Sequence, residues 1–186
     1  MTRIVAGTLG GRRLKAPAGE QTRPTSERVR EALFSTIASM TELDGCRFAD
    51  LYAGSGAVGL EAASRGAAAV LLVESEARAA RTLRENIVAL GLSATCRLSS
   101  SRVAAALASP PVQPFDVVFA DPPYRVDDDE IAAMLAALVD HGWLADDAVL
   151  VVERSARSPE PRWPEGVTPE RGRRYGDTTL WYGRRQ

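Results

Sequence analysis

The sequence predicts an α/β fold built on a doubly wound, mostly parallel sheet. From residue 46 onward, short apolar segments alternate with segments of helical periodicity, as buried parallel strands and their covering helices require. Two strand-like segments around Gly176-Asp177 then predict an antiparallel hairpin at the C-terminal end of the sheet. The first 15 residues predict a small, separate β-hairpin before the domain.

The N-terminal hairpin is predicted from two short segments, Ile4–Gly7 and Arg12–Lys15, which flank a glycine-rich turn. After a proline- and glycine-containing connector, Ser26 can act as the N-cap of a helix with apolar residues at helical spacing. We therefore predict an N-terminal β-hairpin and connector over residues 1–24. A single domain follows over residues 25–186.

The remaining elements are predicted to alternate regularly along the domain. Gly91 is suited to end one helix in a left-handed conformation, and the acidic run Asp127–Asp129 favours the start of another. The predicted strands are Arg47–Tyr52, Ala69–Glu74, Ala94–Leu98, Phe115–Ala120, Ala148–Glu153, Gly166–Tyr175 and Thr178–Tyr182. The predicted helices are Val58–Arg65, Glu76–Leu90, Arg102–Ala108 and Asp128–Asp140.

Length and composition exclude several classes of protein. The chain has 186 residues, of which 45% are hydrophobic and 25% are charged, enough for one domain with a substantial core. No apolar run approaches the roughly 20 residues of a membrane span, and the N-terminus lacks the apolar segment of a signal peptide. Cys46 and Cys96 lack metal-ligand spacing, so we expect reduced thiols in a cytoplasmic protein and no metal site.

Positive charge is concentrated at the two ends of the chain. Residues 1–30 contain seven basic side chains against two acidic ones, and residues 154–186 contain eight arginines against four acids. The acidic middle leaves a net charge of -1. This distribution favours a polyanionic partner, although solvated surface arginines are the simpler alternative. The residues expected to contact phosphates are Arg3, Arg12, Arg13, Lys15, Arg23 and Arg125.

The tetrad Asp121-Pro122-Pro123-Tyr124 is the most informative motif. It directly follows a predicted strand, so it lies at the carboxyl edge of the sheet, where ligands bind in open α/β folds. A carboxylate and a rigid carbonyl offer hydrogen-bond acceptors, and the tyrosine ring offers a stacking plane. These groups suit a planar substrate with an amino group, such as a nucleobase. The alternative is an ordinary proline-rich turn.

A second motif, Asp50–Gly59, follows the first parallel strand. Its glycines allow close approach of the backbone to a ligand, and the next helix offers N–H donors at its N-terminus. The spacing Gly54-x-Gly56-x-x-Gly59 also matches a dinucleotide fingerprint, and Glu74 can accept hydrogen bonds from ribose hydroxyls. NAD and S-adenosylmethionine therefore compete as cofactors. Asp50, the C-terminal hairpin and the tetrad favour S-adenosylmethionine.

Asp50–Gly56, Glu74 and the tetrad resemble the motifs of class I S-adenosylmethionine-dependent amino methyltransferases. The N-terminal part narrows the resemblance to the bacterial RsmD family, and the likeness covers nearly the whole chain. This resemblance makes the extension over residues 1–24 an expected RNA-binding element. The segments that carry it are Arg3–Gly7, Gly11–Leu14 and Thr22–Phe34. The resemblance implies a Rossmann-like, seven-stranded sheet. It also implies methyl transfer from S-adenosylmethionine to guanine N2 of small-subunit (16S) ribosomal RNA.

The motifs and the resemblance together define the expected site. The expected catalytic residues are Asp121, Pro122, Pro123 and Tyr124. The expected cofactor-binding residues are Asp50, Tyr52, Gly54, Ser55, Gly56, Glu74, Ser101, Arg23 and Thr25. Many class I methyltransferases place an acid after the third strand to meet the adenine, whereas this chain has Ser99-Ser100-Ser101-Arg102 there. A serine hydroxyl or a backbone group is therefore the expected adenine contact.

Other functions remain open at the level of sequence. A DNA amino methyltransferase shares the chemistry but normally needs a target-recognition region, for which 186 residues leave no room. A protein glutamine methylase typically has Asn where this chain has Asp121. An NAD oxidoreductase and a non-catalytic ribosome assembly factor are the remaining alternatives. The expected partner is 16S ribosomal RNA within the small subunit or an assembly intermediate, bound by a monomer and without a membrane.

Overall fold

A seven-stranded sheet forms the centre of the structure, a computed structural model that describes residues 2–17 and 26–186. A two-stranded hairpin precedes it. The strands are β1 (Thr2–Arg3), β2 (Arg13–Leu14), β3 (Arg47–Asp50), β4 (Ala69–Val73), β5 (Cys96–Ser99), β6 (Phe115–Ala120), β7 (Leu144–Ser155), β8 (Val167–Tyr175) and β9 (Thr178–Arg185). The helices are α1 (Glu27–Met40), α2 (Ala57–Ser64), α3 (Ala77–Ala89), α4 (Val103–Leu107) and α5 (Asp128–Asp140).

The strand order of the sheet is β5-β4-β3-β6-β7-β9-β8, and the predicted fold class is confirmed. Strands β3 to β7 pair in parallel, whereas β9 runs antiparallel between β7 and β8. The chain first moves outward from β3 to β5 and then returns to place β6 on the other side of β3. This reversal creates the crevice in which open α/β sheets bind ligands.

The sheet is covered on both faces, which explains why its strands appear in the sequence as continuous apolar runs. Helices α1, α2 and α3 pack on one face, and α4 and α5 pack on the other. Successive residues of β6 alternate between the two cores, with Val117 and Phe119 on the first face and Val118 and Ala120 on the second. None of the helices in the described part of the chain has the length and apolar content that a membrane span requires.

The helix ends follow the predicted signals. Ser26 caps α1 by accepting a hydrogen bond from the Val29 N–H at 3.2 Å. Asp127 and Glu130 form a reciprocal capping box at the start of α5, which satisfies two N–H groups that the helix itself cannot pair. Gly91 follows α3 with φ +69°, a left-handed conformation that glycine adopts without steric cost.

Two of the predicted strands in the main sheet are longer in the structure. Strand β7 begins at Leu144 rather than Ala148, because the polar pair Asp146-Asp147 lies at an irregularity in its pairing with β6, where Asp147 has φ +61°. Strand β9 continues to Arg185 rather than ending at Tyr182, since its last residues pair with β8.

The first strand of the N-terminal hairpin is Thr2–Arg3, so the prediction of Ile4–Gly7 was wrong by two residues. Ile4 still bonds to the backbone of Gly11 and Arg12, but the residues that follow it bond to side chains of α2 instead of to a strand. Glu61, which is fully buried, accepts hydrogen bonds from the N–H groups of Val5 at 2.8 Å and Ala6 at 2.9 Å. Buried backbone donors require such partners.

Ser64 and Gly7 continue this contact with α2. The Ser64 hydroxyl donates to the Ala6 carbonyl at 2.6 Å and accepts from the Leu9 N–H at 3.0 Å. A Cβ on Gly7, which has φ +83°, would lie 2.0 Å from the Ser64 carbonyl oxygen. Only glycine therefore allows the segment to approach the helix this closely.

Arg30 and Asn86 hold the two strands of the hairpin. The fully buried Arg30 donates through Nη2 to the Arg3 carbonyl at 2.6 Å, and burial lowers its pKa. Asn86 pairs with both backbone groups of Lys15, at 2.9 and 3.0 Å. The hairpin is thus packed against the three helices of the first face. The domain boundary predicted at residue 24 lies outside the described residues.

We predict that Glu61→Ala lowers the free energy of unfolding by about 3 kcal/mol or more, because two buried N–H groups and the Arg65 guanidinium lose their acceptor. Urea unfolding measures this loss. Hydrogen exchange should show residues 4–9 losing protection first.

Glu85→Ala is the matched control, because Glu85 holds the same segment through an exposed pair with Lys15 at 3.0 Å. The free energy of unfolding of this variant should fall by less than about 1 kcal/mol. Equal losses in the two variants would show that burial of Glu61 is not what holds the N-terminal segment.

Candidate active site

A cleft of about 1520 Å³ opens at the carboxyl ends of β3, β4, β6 and β7. Both sequence motifs line it, as does the turn between β8 and β9. Its volume exceeds the roughly 300–1,000 Å³ of a typical small-molecule site, so it can hold two ligands side by side. A smaller cavity of about 430 Å³, lined by Asp116, Asp146 and Asp147, lies at the opposite end of the sheet and away from both motifs.

Asp50, the last residue of β3, lies at the base of the cleft and is 1% exposed. Its Oδ2 accepts a hydrogen bond from the Gly59 N–H at 3.0 Å, whereas Oδ1 has no partner among the described residues. Loss of solvent raises the pKa of Asp50 to about 7, and the nearby Glu74 carboxylate adds to this rise. The hydrogen bond from Gly59 acts in the opposite direction and lowers the pKa. A buried acceptor without a partner is rare and costly, so this oxygen marks a place for a donor or a cation.

Glu74 follows β4 and connects the two loops on the cofactor side of the cleft. Its Oε2 accepts from the Gly54 N–H at 2.7 Å, and its Oε1 accepts from the Glu76 N–H at 2.8 Å. A carboxylate has about four acceptor positions, so capacity for ribose hydroxyls remains. Gly54 has φ +56°, and a Cβ there would meet no atom within 4 Å. The backbone at Gly54 is therefore open to a ligand.

Gly56 has a different role from Gly54, since it is not among the residues that line the cleft. A Cβ on Gly56 would lie 2.3 Å from Leu83 and 2.9 Å from Leu60, so this glycine allows α2 to start against α3. Ser55 does line the cleft, and its carbonyl accepts a hydrogen bond from Asn86 at 2.9 Å.

Tyr52 and Ser101 line the cleft as predicted cofactor residues. The Tyr52 hydroxyl lies 3.8 Å from the Met134 sulfur, and burial raises its pKa. The Ser101 hydroxyl lies 2.9 Å from that of Ser99, where many class I enzymes have an acid. The role of Ser101 in contacting adenine stays a prediction.

The tetrad turns sharply at the end of β6 and faces the cleft. The Pro123 carbonyl accepts a hydrogen bond from the Val126 N–H at 2.9 Å, which closes the turn, and Pro122 is buried. Tyr124 is 64% exposed and lines the mouth of the cleft. The tetrad therefore forms a turn that also lines the cleft, and its catalytic role stays a prediction.

Asp121 carries the strongest electrostatic perturbation in the tetrad. It is exposed to the cleft. Desolvation by the surrounding protein, together with the carboxylates of Glu153 and Asp50, raises the pKa of Asp121 well above its usual value, and Arg154 opposes the rise. Several acids around one cleft favour ligands that carry positive charge or donate hydrogen bonds.

Arg154 and Glu153, at the carboxyl end of β7, line the cleft and were not predicted. Arg154 donates to the Val126 carbonyl and to the Asp128 carboxylate, both at 3.1 Å, and ties the loop after the tetrad to the sheet. Their position at the carboxyl end of a predicted parallel strand could have identified them as candidate site residues. The turn between β8 and β9 also reaches the cleft, which only the folded structure reveals.

The expected phosphate-binding residues divide into two groups. Arg125 lines the cleft, whereas the four basic residues of the hairpin lie on its exposed surface. Three of those are already engaged: Arg3 pairs with Glu27, Lys15 pairs with Glu85, and Arg12 donates to the Ala89 carbonyl. The expected cofactor residues Arg23 and Thr25 lie outside the described residues.

Comparison with known proteins places the chain in a family. The model of the family described as conserved hypothetical protein 95 matches residues 2–184. Ribosomal RNA small subunit methyltransferase D of Escherichia coli K12 is 37% identical over 162 residues, which cover 87% of this chain and 79% of that protein.

Solved structures agree with this assignment. A putative methyltransferase, yhhF, from Escherichia coli superposes with a TM-score of 0.85 at 33% identity, covering 100% of this chain and 98% of the other. An RNA methyltransferase from Salinibacter ruber, solved in complex with S-adenosyl-L-homocysteine, shares the fold alone, with a TM-score of 0.64 at 16% identity over 87% and 92% of the two chains. The predicted methyltransferase class is thereby confirmed. The chain belongs to the conserved hypothetical protein 95 family, which is the RsmD family.

Proposed function

We propose that this protein transfers a methyl group from S-adenosylmethionine to the exocyclic N2 amine of a guanine in 16S ribosomal RNA. The observation that carries the proposal is that Asp50, with its unpartnered buried oxygen, and the Asp121 tetrad face one cleft. The name of the Escherichia coli relative supports ribosomal RNA as the substrate. The acceptors of the tetrad support an amine as the target.

The residues on the β3–β4 side of the cleft fit S-adenosylmethionine. The Asp50 Oδ1 can accept from an ammonium group, Glu74 can accept from ribose hydroxyls, and Gly54 leaves room for a ligand against the backbone. When bound, S-adenosylmethionine supplies a methyl group that is already activated on a positively charged sulfur. The protein then contributes mainly through positioning of the two reactants.

The tetrad supplies what a weakly nucleophilic amine needs. The nitrogen lone pair of guanine N2 is delocalised into the ring, and hydrogen bonds from both of its N–H groups to the Asp121 carboxylate and the Pro122 carbonyl favour a pyramidal nitrogen. None of the described residues donates to the Pro122 carbonyl, and the fixed φ of proline keeps it aimed. Loss of solvent and the neighbouring acids Glu153 and Asp50 raise the pKa of Asp121 in the protein alone, and Arg154 opposes this rise. A positively charged ligand in the cleft would likewise favour the ionised form of Asp121, which can accept through both of its oxygens.

Tyr124 is placed to hold the base. Stacking on an aromatic ring contributes about 1–3 kcal/mol per base, which offsets part of the few kcal/mol needed to take a base out of its stack. The side chain is 64% exposed and lines the cleft, which supports this assignment.

We extend the proposal to the form of the substrate. The tetrad lies at the mouth of a cleft whose rim includes Arg125 and residues near the N-terminal hairpin, so RNA presented on an assembled surface can contact both. The proposed substrate is therefore the small subunit or an assembly intermediate in the cytoplasm, modified by a monomer.

The test is transfer of tritiated methyl from S-adenosylmethionine to small ribosomal subunits, naked ribosomal RNA and duplex DNA, followed by nucleoside analysis. Label recovered as N2-methylguanosine from the ribosomal samples supports the proposal. Label in DNA, or in another nucleoside, contradicts the proposed target. No transfer at all, despite cofactor binding, would favour a non-catalytic role.

We predict that Asp121→Ala reduces the rate of methyl transfer at saturating substrate by at least about 100-fold, because one acceptor that stabilises the transition state is lost. The dissociation constant of S-adenosylmethionine should change by less than about three-fold, since Asp121 serves the amine. Single-turnover assays and calorimetry measure the two quantities. A near-wild-type rate would rule out the assigned role of Asp121.

We predict that Tyr124→Ala weakens binding of ribosomal RNA by about 5- to 100-fold, whereas Tyr124→Phe changes it much less, because phenylalanine keeps the stacking surface. Filter binding and the KM for RNA report the effect. Equal losses in both variants would assign the role to the hydroxyl group instead of the ring.

We predict that Asp50→Asn stabilises the cofactor-free protein at pH 8 by up to about 4 kcal/mol. The pKa of Asp50 in the fold is about 7, above its usual 3.8. The protonated acid therefore stabilises the fold fully below about pH 4, and this contribution disappears as the pH rises through 7. The advantage of Asn should shrink toward pH 5.

Thermal unfolding at pH 5 and pH 8 measures the effect of Asp50→Asn on stability. The same variant should bind S-adenosylmethionine at least ten-fold more weakly, because an amide is a poor partner for an ammonium group. A stability difference that is the same at both pH values would contradict ionisation of the buried Asp50.

A further inference from the structure

We infer that the edge strand β8 is a second RNA-binding surface, on which Arg171 and Arg173 hold the phosphate backbone of RNA that enters the cleft. This inference rests on the proposed function and assigns a role to two of the C-terminal arginines, whose charge the sequence showed but whose position it did not. It is carried by the placement of the two arginines, by their exposure and by the continuity of their strand with the cleft.

The register of the C-terminal hairpin places both arginines on one face of the sheet. Arg171 is opposite Tyr182 and Arg173 is opposite Leu180, and directly opposed residues of antiparallel strands point to the same side. Leu180 and Tyr182 are buried in the core beneath α1. The two arginines therefore project on the α1 face, about 6.6 Å apart along the strand.

The same face leads directly to the cleft. Tyr175, two residues beyond Arg173, packs at the edge of the first core and lines the cleft. Asp177 and Thr178, in the turn that follows, also line it. An RNA strand bound along β8 on this face thus reaches the cleft without crossing the body of the protein.

Arg171 and Arg173 are more available for phosphates than most of the basic residues at the N-terminus. Every residue from Thr168 to Arg174 is exposed, and neither arginine forms an ion pair with an acid in the described ranges. Glu170, the acid on the same strand, pairs with Arg184 at 3.0 Å. On the hairpin, by contrast, Arg3 and Lys15 are already paired with carboxylates.

Guanidinium groups are suited to this task. Arginine presents a planar fork of N–H donors that binds phosphate oxygens in pairs, and it remains charged at all physiological pH values. Phosphate contacts supply affinity without sequence preference and position the substrate for contacts to the bases. In this arrangement β8 would fix the RNA while the tetrad selects the reacting amine.

A competing explanation is that the arginines only keep an exposed edge strand from pairing with another molecule. Charged residues on sheet edges commonly have this effect. Replacement by glutamate separates the two explanations, because glutamate keeps the edge charged but repels phosphates.

The experiment compares wild-type protein with the double variant Arg171→Glu/Arg173→Glu. The control is Arg81→Glu/Arg97→Glu, which makes the same change in net charge at exposed positions of α3 and of β5, the opposite edge strand. Binding to naked small-subunit ribosomal RNA is measured between about 50 and 200 mM salt, together with the KM for RNA, kcat and the affinity for S-adenosylmethionine.

We expect the β8 variant to bind RNA at least about ten-fold more weakly than the control variant, with the dependence of log affinity on log salt reduced by about 1 to 2. The KM for RNA should rise in parallel, whereas kcat and the affinity for the cofactor should not change. Arg171→Gln/Arg173→Gln should show the same trend, which guards against misfolding caused by charge reversal.

Equal RNA binding by the β8 variant and the control variant, at wild-type stability, overturns the inference. Aggregation of the glutamine variant with unchanged RNA affinity of its monomeric fraction would instead identify the arginines as protectors of the edge. If wild-type protein binds RNA through β8 but transfers no methyl group, the proposed function fails and the interface stands. If wild-type protein does not bind naked RNA, the inference fails, whereas the proposed function is still decided by methyl transfer to small subunits.

Discussion

The parallel pairing of β3 with β6 is the constraint on which the site depends. It places Asp50 opposite Phe119, so Asp121 lies two residues beyond that point, just after the end of the neighbouring strand. No short segment of sequence could bring these two carboxylates together, because they are 71 positions apart in the chain. The reversal of strand order at this pair leaves the space above it open, and both motifs meet there.

The same pairing has an energetic cost. Loss of solvent raises the pKa of Asp50 and of Asp121 in the shared cleft, and repulsion adds to this rise, from Glu74 for Asp50 and from Glu153 and Asp50 for Asp121. Such an arrangement is unfavourable in the protein alone and becomes favourable when a cation binds. The cleft is thereby prepared for a positively charged ligand, with Arg154 the positive charge that acts on Asp121 from the protein side. Perturbed acids of this kind are characteristic of functional sites.

Buried polar groups give the N-terminal segment a fixed position near the cleft. Glu61, Arg30 and Asn86 satisfy its backbone, and Asn86 also bonds the carbonyl of Ser55 in the glycine loop. The hairpin and the cofactor loop therefore share one side chain. Because two isolated strands are only marginally stable in water, this docking explains how so short a hairpin is ordered.

The sequence by itself determined the alternation of strands and helices, the α5 and β6 boundaries and the two motifs, because these depend on local periodicity, capping and spacing. It also indicated the family, through the resemblance of its motifs and N-terminal segments. It did not reveal that Glu61 is buried beneath Val5 and Ala6, that Gly56 supports packing against Leu83, or that β8 reaches the cleft. Those features arise from contacts between distant segments. Only the tertiary structure decides them, because the residue type alone does not tell whether a charged side chain or a glycine faces solvent, a ligand or a packed helix.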